Sequence, residues 1–109
     1  MIYHLRILGK TYAVTFVTPT PLYSAVKGEI NCLLGTIHID SSMSADHIAE
    51  ALIHEAIHAM DYDMQLELTE RQVHALGAGI LMLLNDNPGL RDMLASGSVE
   101  TTMPVRSDR

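Results

Sequence analysis

The sequence predicts an α+β domain in which a small antiparallel or mixed sheet of three to four strands packs on two core helices. Short β-branched or alternating runs, separated by turn residues, occupy the first forty positions and are typical of strands. Two later segments carry apolar residues at helical spacing. With 109 residues, 48% of them apolar, the chain is long enough for one globular domain with a small core.

The first two strands are expected to form a hairpin. Residues 2–8 and 11–17 are rich in β-branched and aromatic side chains, and Gly9 and Lys10 form the turn between them. The prolines within residues 18–21 interrupt this pairing. Residues 22–27 are then expected to be irregular or to form a single helical turn.

One further strand is clear and another is ambiguous. Residues 29–34 fit either a short strand or a loop. Residues 36–40 alternate, which predicts a strand with Ile37 and Ile39 on one face and His38 on the other. This strand leads through a polar loop into the first helix.

The first helix is expected over residues 45–60. Ser44 is a suitable N-cap, Asp46 falls in the first turn, and neither Pro nor Gly interrupts the segment. Apolar residues cover most of its circumference, which is typical of a buried helix. Its ionisable residues form a single stripe, which indicates a cleft, because isolated charges are costly in a core.

A second helix is expected after a connection over residues 61–68 that shows no helical period. Thr69 is a suitable N-cap, and an apolar face runs from Glu70 to about Leu84. On that face Gly77 lowers helix propensity but lets a neighbouring helix come close.

The domain is expected to span residues 1–95. Residues 85–89 end the second helix, and residues 90–95 suit one short final helix. Residues 96–109 are polar and without period, which predicts a mobile tail.

The segment His54-Glu55-Ala56-Ile57-His58 carries the chemistry. It reads H-E-x-x-H, and residues four apart on a helix lie on one face, so both imidazoles can reach one metal ion. Glu55 then sits beside the metal, where it can hold and deprotonate a bound water. The pattern predicts a single Zn²⁺ per chain, bound by His54 and His58, with Glu55 as general base.

A third protein ligand must come from the region after this helix, because catalytic zinc usually has three protein ligands and one open position. Four residues qualify, namely Asp63, Glu67, Glu70 and His74. Glu70 and His74 lie one turn apart on one face of the second helix, where His74 would be an alternative ligand or a supporting group. Glu70 falls in the first turn, where the helix dipole favours a carboxylate. His38 and His47 are less suitable, because most isolated histidines are ordinary polar residues.

These residues resemble the gluzincin type of H-E-x-x-H zinc metallopeptidase, over roughly residues 36–84. The chain is also similar to minimal gluzincins, to ImmA/IrrE-like peptidases and to small phage or prophage H-E-x-x-H proteins. In gluzincins a glutamate on the second helix binds zinc, and Glu70 matches it. Four residues on, that family has an aspartate, where this chain has His74.

The resemblance implies a zincin-like fold and hydrolysis of a peptide bond by zinc-activated water. It further implies an antiparallel strand before the motif helix, along which a peptide lies. Ile37, His38 and Ile39 are accordingly expected to form the substrate-binding strand. Tyr62 or a histidine of the polar stripe is expected to assist the oxyanion.

Composition excludes other functions. A net charge of −6 and only two lysines argue against nucleic acid as the main partner, which leaves a protein or peptide. No apolar run is long enough to cross a membrane, and no signal peptide is apparent. The single Cys32 fits a reducing cytoplasm. The oligomeric state stays open.

Two other functions compete with the peptidase. The protein would be a non-enzymatic binding module, sequestering a protein partner, if zinc were structural and its fourth position closed. It would be a hydrolase of small amides or esters if the cleft took no peptide.

Overall fold

The computed structural model describes residues 2–18 and 27–96. Within them the strands are β1 (Ile2–Ile7), β2 (Lys10–Val17), β3 (Gly28–Asn31) and β4 (Thr36–Asp40). The helices are α1 (Ala45–Met64), α2 (Glu70–Asp86) and α3 (Pro88–Ser96). The expected α+β class is confirmed, and the sheet is mixed and has four strands. The expected packing of the sheet on two helices is wrong for the second helix, because among the described residues α2 contacts α1 and α3 but no strand. The predicted irregular segment 22–27 and the predicted tail 96–109 lie outside the described residues, apart from Lys27 and Ser96.

The sheet has the strand order β1-β2-β4-β3. β1 and β2 form an antiparallel hairpin, closed by Leu8 and Gly9, which both have positive φ (48° and 84°), as a type I′ turn requires. β2 pairs with β4 in parallel, and β4 pairs with β3 in antiparallel fashion. β4 is therefore an interior strand, and the two edges are β1 and β3.

The core lies between one face of the sheet and α1. Val14, Ile37 and Ile39 are 0% exposed and pack with Ala51 and Ala59 of the helix. Because side chains alternate along a strand, His38 points to the opposite face. This packing holds α1 against β3 and β4.

α1 begins where the sequence predicts and ends one turn later. The hydroxyl of Ser44 caps it by accepting a hydrogen bond from the His47 backbone N–H. The prediction of a non-helical connection is wrong for residues 61–64. Gln65 terminates the helix in the left-handed region (φ 54°), and its N–H bonds to the Asp61 carbonyl. A glycine usually signals such an end, and none is present.

α2 runs back along α1 and starts at the predicted residue. The hydroxyl of Thr69 accepts from the Gln72 backbone N–H, and the Gln72 side chain accepts from the Thr69 N–H, which makes a capping box. Gly77 is buried against α1, where an added Cβ would lie 3.6 Å from the His54 Cα. The expected close approach of the helices at Gly77 is confirmed.

α3 is longer than the predicted residues 90–95, because Pro88 occupies a position in the first turn where its missing N–H costs nothing. It packs only on α2. Among the residues described, no helix has both the length and the apolar character to cross a lipid bilayer.

Candidate metal centre

α1 places two imidazoles side by side. His54 and His58 lie one turn apart on its face, with ring centroids 4.9 Å apart and planes inclined by 66°. Both are partly buried, with side-chain exposures of 21% and 28%. The helix therefore holds two nitrogen donors in the arrangement that its i, i+4 spacing predicts.

α2 brings a carboxylate to both imidazoles. Glu70 Oε1 lies 2.5 Å from His54 Nε2, and Glu70 Oε2 lies 3.0 Å from His58 Nε2. Glu70 is the first residue of α2, so the capping box at Thr69 fixes its backbone. The Glu70 side chain is 67% exposed, and exposed pairs of this kind add little stability. The contact therefore contributes little to the stability of the fold.

These three side chains offer donors of the kinds that bind metal ions. Two imidazole nitrogens and one carboxylate oxygen lie within 4.8 Å of one another. Two histidines and one glutamate form one of the ligand sets of three-ligand zinc sites, in which bonds of about 2.0–2.1 Å put neighbouring donors about 3.3 Å apart. The two distances from Glu70 to the histidines, 2.5 and 3.0 Å, would each have to lengthen by less than about 1 Å, which rotation of the exposed Glu70 side chain allows.

The other candidate ligands lie outside this cluster. His74 contacts only the edge of the His54 ring, with centroids 6.2 Å apart. Asp63 and Glu67 are exposed, and neither belongs to the cluster found among the described residues. His47 Nδ1 is 3.0 Å from Ser44 Oγ, at the start of α1. Of the residues considered, Glu70 alone joins the two histidines, while metal binding itself stays a prediction.

Glu55 is buried beside the cluster and points towards the sheet. It is 6% exposed, and an added Cβ on Gly28 of β3 would lie 3.3 Å from Glu55 Oε2. Burial raises the pKa of the Glu55 carboxyl, although the nearby His54 and His58 act in the opposite direction. No hydrogen bond or ion pair links Glu55 to any other described residue. Its carboxylate oxygens nevertheless reach solvent, because no fully buried side-chain oxygen or nitrogen lacks a partner among the described residues. The side chain is thus largely buried while its carboxylate stays available to a molecule beside it.

A cleft between β3 and α1 passes over Glu55. One cavity, of about 250 Å³, lies towards the start of α1 and is lined by Gly28, Glu50, His54, Glu55 and His74, among others. A second, of about 370 Å³, lies towards the end of α1 and is lined by Ile30, Cys32, Glu55, His58, Asp61 and Tyr62. Glu55 lines both cavities, so it lies at the centre of the cleft.

The expectation that Ile37, His38 and Ile39 form the substrate-binding strand is wrong. They belong to β4, whose two edges are already paired with β2 and β3. Ile37 and Ile39 are fully buried in the core. His38 lies on the far face of the sheet, where its Nδ1 is 3.4 Å from Glu29 Oε1.

β3 forms the edge beside the cleft instead. The carbonyls of Lys27 and Asn31 accept hydrogen bonds from the β4 side. Because backbone groups alternate along an antiparallel strand, those of Gly28 and Ile30 point to the open side. Sequence reasoning left this segment ambiguous and passed over Gly28, although a glycine in a strand is a signal of close approach by another group.

No family model, curated protein or solved structure matches this chain. The resemblance to gluzincins therefore rests on the residues of the motif and of the second helix. The feature of the structure that bears on function is the cluster of His54, His58 and Glu70, which lies beside the buried Glu55.

Proposed function

We propose that this protein is a small zinc-dependent metallopeptidase that hydrolyses a peptide bond with water. The observation that carries the proposal is Glu55, a largely buried residue whose carboxylate has no protein partner and reaches the cleft next to a cluster of three potential zinc ligands. A carboxyl in a cleft whose pKa is raised by burial is typical of a catalytic group. A zincin-like fold and kinship with gluzincins or small phage peptidases are consistent with this arrangement.

In this proposal His54, His58 and Glu70 hold one Zn²⁺. When bound, zinc lowers the pKa of a coordinated water and polarises the substrate carbonyl. Glu55 accepts a proton from the water as its oxygen adds to the carbonyl carbon. Glu55 then delivers that proton to the leaving nitrogen as the C–N bond breaks. The raised pKa of Glu55 favours the first of these transfers, because a more basic carboxylate accepts the proton of water more readily.

The substrate in this proposal is an extended peptide lying along β3. The outward backbone groups of Gly28 and Ile30 would pair with it by strand addition. Gly28 has no side chain, so the peptide backbone can approach Glu55 closely. The two cavities would receive substrate side chains on either side of the cleaved bond.

A non-enzymatic zinc module is the second candidate. The observation in its favour is His74, whose ring already contacts that of His54. If His74 rotated onto the metal as a fourth ligand, no position would remain for water. The protein would then act by binding a partner.

Zinc analysis combined with matched variants tests the proposal. The purified protein should hold about one zinc per chain, as expected for a single site of this kind. His54→Ala, His58→Ala and Glu70→Ala should lose the ion, whereas Glu55→Gln should keep it and lose cleavage of a peptide library. Absence of zinc together with no thermal shift on its addition would refute the metal assignment. An unchanged cleavage rate in Glu55→Gln would refute the role of Glu55.

A further inference from the structure

His74 is the one histidine near the cluster that the proposed mechanism leaves without a role. It lies on α2, one turn after Glu70, and is exposed. It has no hydrogen bond or ion pair to another described residue, and its ring touches only His54. Its imidazole lines the smaller cavity together with Glu55. An N–H donor is thus available across the cavity from the buried carboxylate.

The position of His74 suits contact with a metal-bound oxygen better than contact with the metal. Its ring centroid lies 6.2 Å from that of His54, outside the cluster of ligand atoms. An oxygen on zinc sits about 2.0–2.2 Å from the ion. A hydrogen-bond donor to that oxygen lies a further 2.7–3.1 Å away, or about 5 Å from the metal. His74 contacts the His54 ring but does not belong to the cluster, so it lies beside the ligands and not among them.

The other donors of the cleft make no contact with the cluster among the described residues. His47 lines the smaller cavity, but it interacts with the Ser44 hydroxyl at the first turn of α1, two turns before His54. Lys27 lines the same cavity from the start of β3. Tyr62 lines the larger cavity, on the far side of Glu55. Of these donors, His74 is the one whose ring contacts an imidazole of the cluster.

We propose that His74 donates a hydrogen bond to the oxyanion that forms when water adds to the substrate carbonyl. The inference rests on the proposed function and adds a catalytic residue at a position where gluzincins carry a supporting aspartate. No bond to His74 forms or breaks. Its N–H holds the negative oxygen, while Glu55 moves the proton from water to the leaving nitrogen.

The test compares His74→Phe, which removes the donor, with His74→Gln, which keeps an N–H, and with His38→Phe, a matched change on the far face of the sheet. All are prepared as the full chain loaded with Co²⁺ in place of zinc. Acetohydroxamate serves as the probe, because its carbonyl oxygen binds the metal where the oxyanion would lie, and its binding is read from the visible spectrum. This measurement needs no known substrate.

All three variants should retain the metal. Acetohydroxamate affinity should fall about tenfold or more in His74→Phe, as for loss of one strong hydrogen bond, and partly recover in His74→Gln. It should stay unchanged in His38→Phe. On a cleaved peptide, kcat should fall about 10²- to 10³-fold in His74→Phe with little change in KM.

Two results would overturn the inference. One is wild-type affinity for the probe in His74→Phe. The other is loss of the metal from that variant, which would make His74 a ligand and favour the non-enzymatic module. Both results differ from those that would refute the proposed function. That function fails if the parent protein binds no metal, or if cleavage survives in Glu55→Gln.

Discussion

Replacing Glu55 by methionine should make the metal-free protein more stable. The two side chains are similar in size, and the position is only 6% exposed. A buried polar group without a partner costs about 1–3 kcal/mol. Because the Glu55 oxygens still reach solvent, Glu55→Met should raise the free energy of unfolding at pH 7 by about 1 kcal/mol, the lower end of that range. For a domain of this size each kcal/mol corresponds to a rise in Tm of about 4–8 °C.

The gain should depend on pH in a defined direction. Burial raises the pKa of Glu55 above the ordinary value of 4.5. Below that value the carboxyl is protonated in both folded and unfolded protein, and the difference between parent and variant should be small. As the pH rises through the ordinary value to the raised one, the unfolded state releases its proton more readily, so the parent loses stability. The advantage of Glu55→Met should therefore grow from acid to neutral pH and then level off.

Urea unfolding followed by circular dichroism measures both effects, with EDTA present to remove metal. Glu50→Met is the matched control, because Glu50 lies on the same helix and lines the same cavity but is only partly buried. It should change stability by no more than about 0.5 kcal/mol. Two results would refute this reasoning: a lower free energy of unfolding in Glu55→Met than in the parent, or an increase that is the same at pH 4.5 and pH 7.5. Either would show that the charged form of Glu55 does not destabilise the folded protein.

Three further predictions concern the helix that carries Glu70. Thr69→Ala removes the capping box and should lower the free energy of unfolding by about 1 kcal/mol. It should also weaken zinc binding in a titration, because the first turn of α2 positions Glu70. Unchanged zinc affinity would contradict this positioning role of the first turn. Gly79→Ala, at a site with nothing within 4 Å of an added Cβ, should stabilise the protein by about 0.8–1.0 kcal/mol in thermal unfolding. Gly77→Leu should instead cost about 1–3 kcal/mol and weaken zinc binding, because the space beside His54 accepts a methyl group but little more.

Local signals predicted the parts of this fold that depend on neighbours in sequence. β4 has the predicted bounds, and both Ser44 and Thr69 cap their helices as expected. Glu70 lies beside His54 and His58, as its match to the gluzincin glutamate and its place at the start of the second helix implied. These features depend on residues within a few turns of one another, which is the range over which sequence patterns are informative.

Pairing between distant strands was not predictable in the same way. The parallel pairing of β2 with β4 makes β4 an interior strand, and alternation within residues 36–40 carries no information about its neighbours. Placing the substrate on β4 failed for that reason. The extra turn of α1 was missed because Gln65, a residue that rarely adopts positive φ, ends it.

The ligand cluster belongs to a helical hairpin, α1 and α2, whereas the proposed base reaches across to a sheet edge. An ion bound by His54, His58 and Glu70 would bind the folded hairpin and not the unfolded chain, so it would stabilise the hairpin to a degree set by its concentration relative to its Kd. Metal should therefore slow amide hydrogen exchange in the hairpin more than in β1 and β2. The two histidines and the proposed base share α1, and Glu55 lies where this helix meets Gly28 at the edge of the sheet.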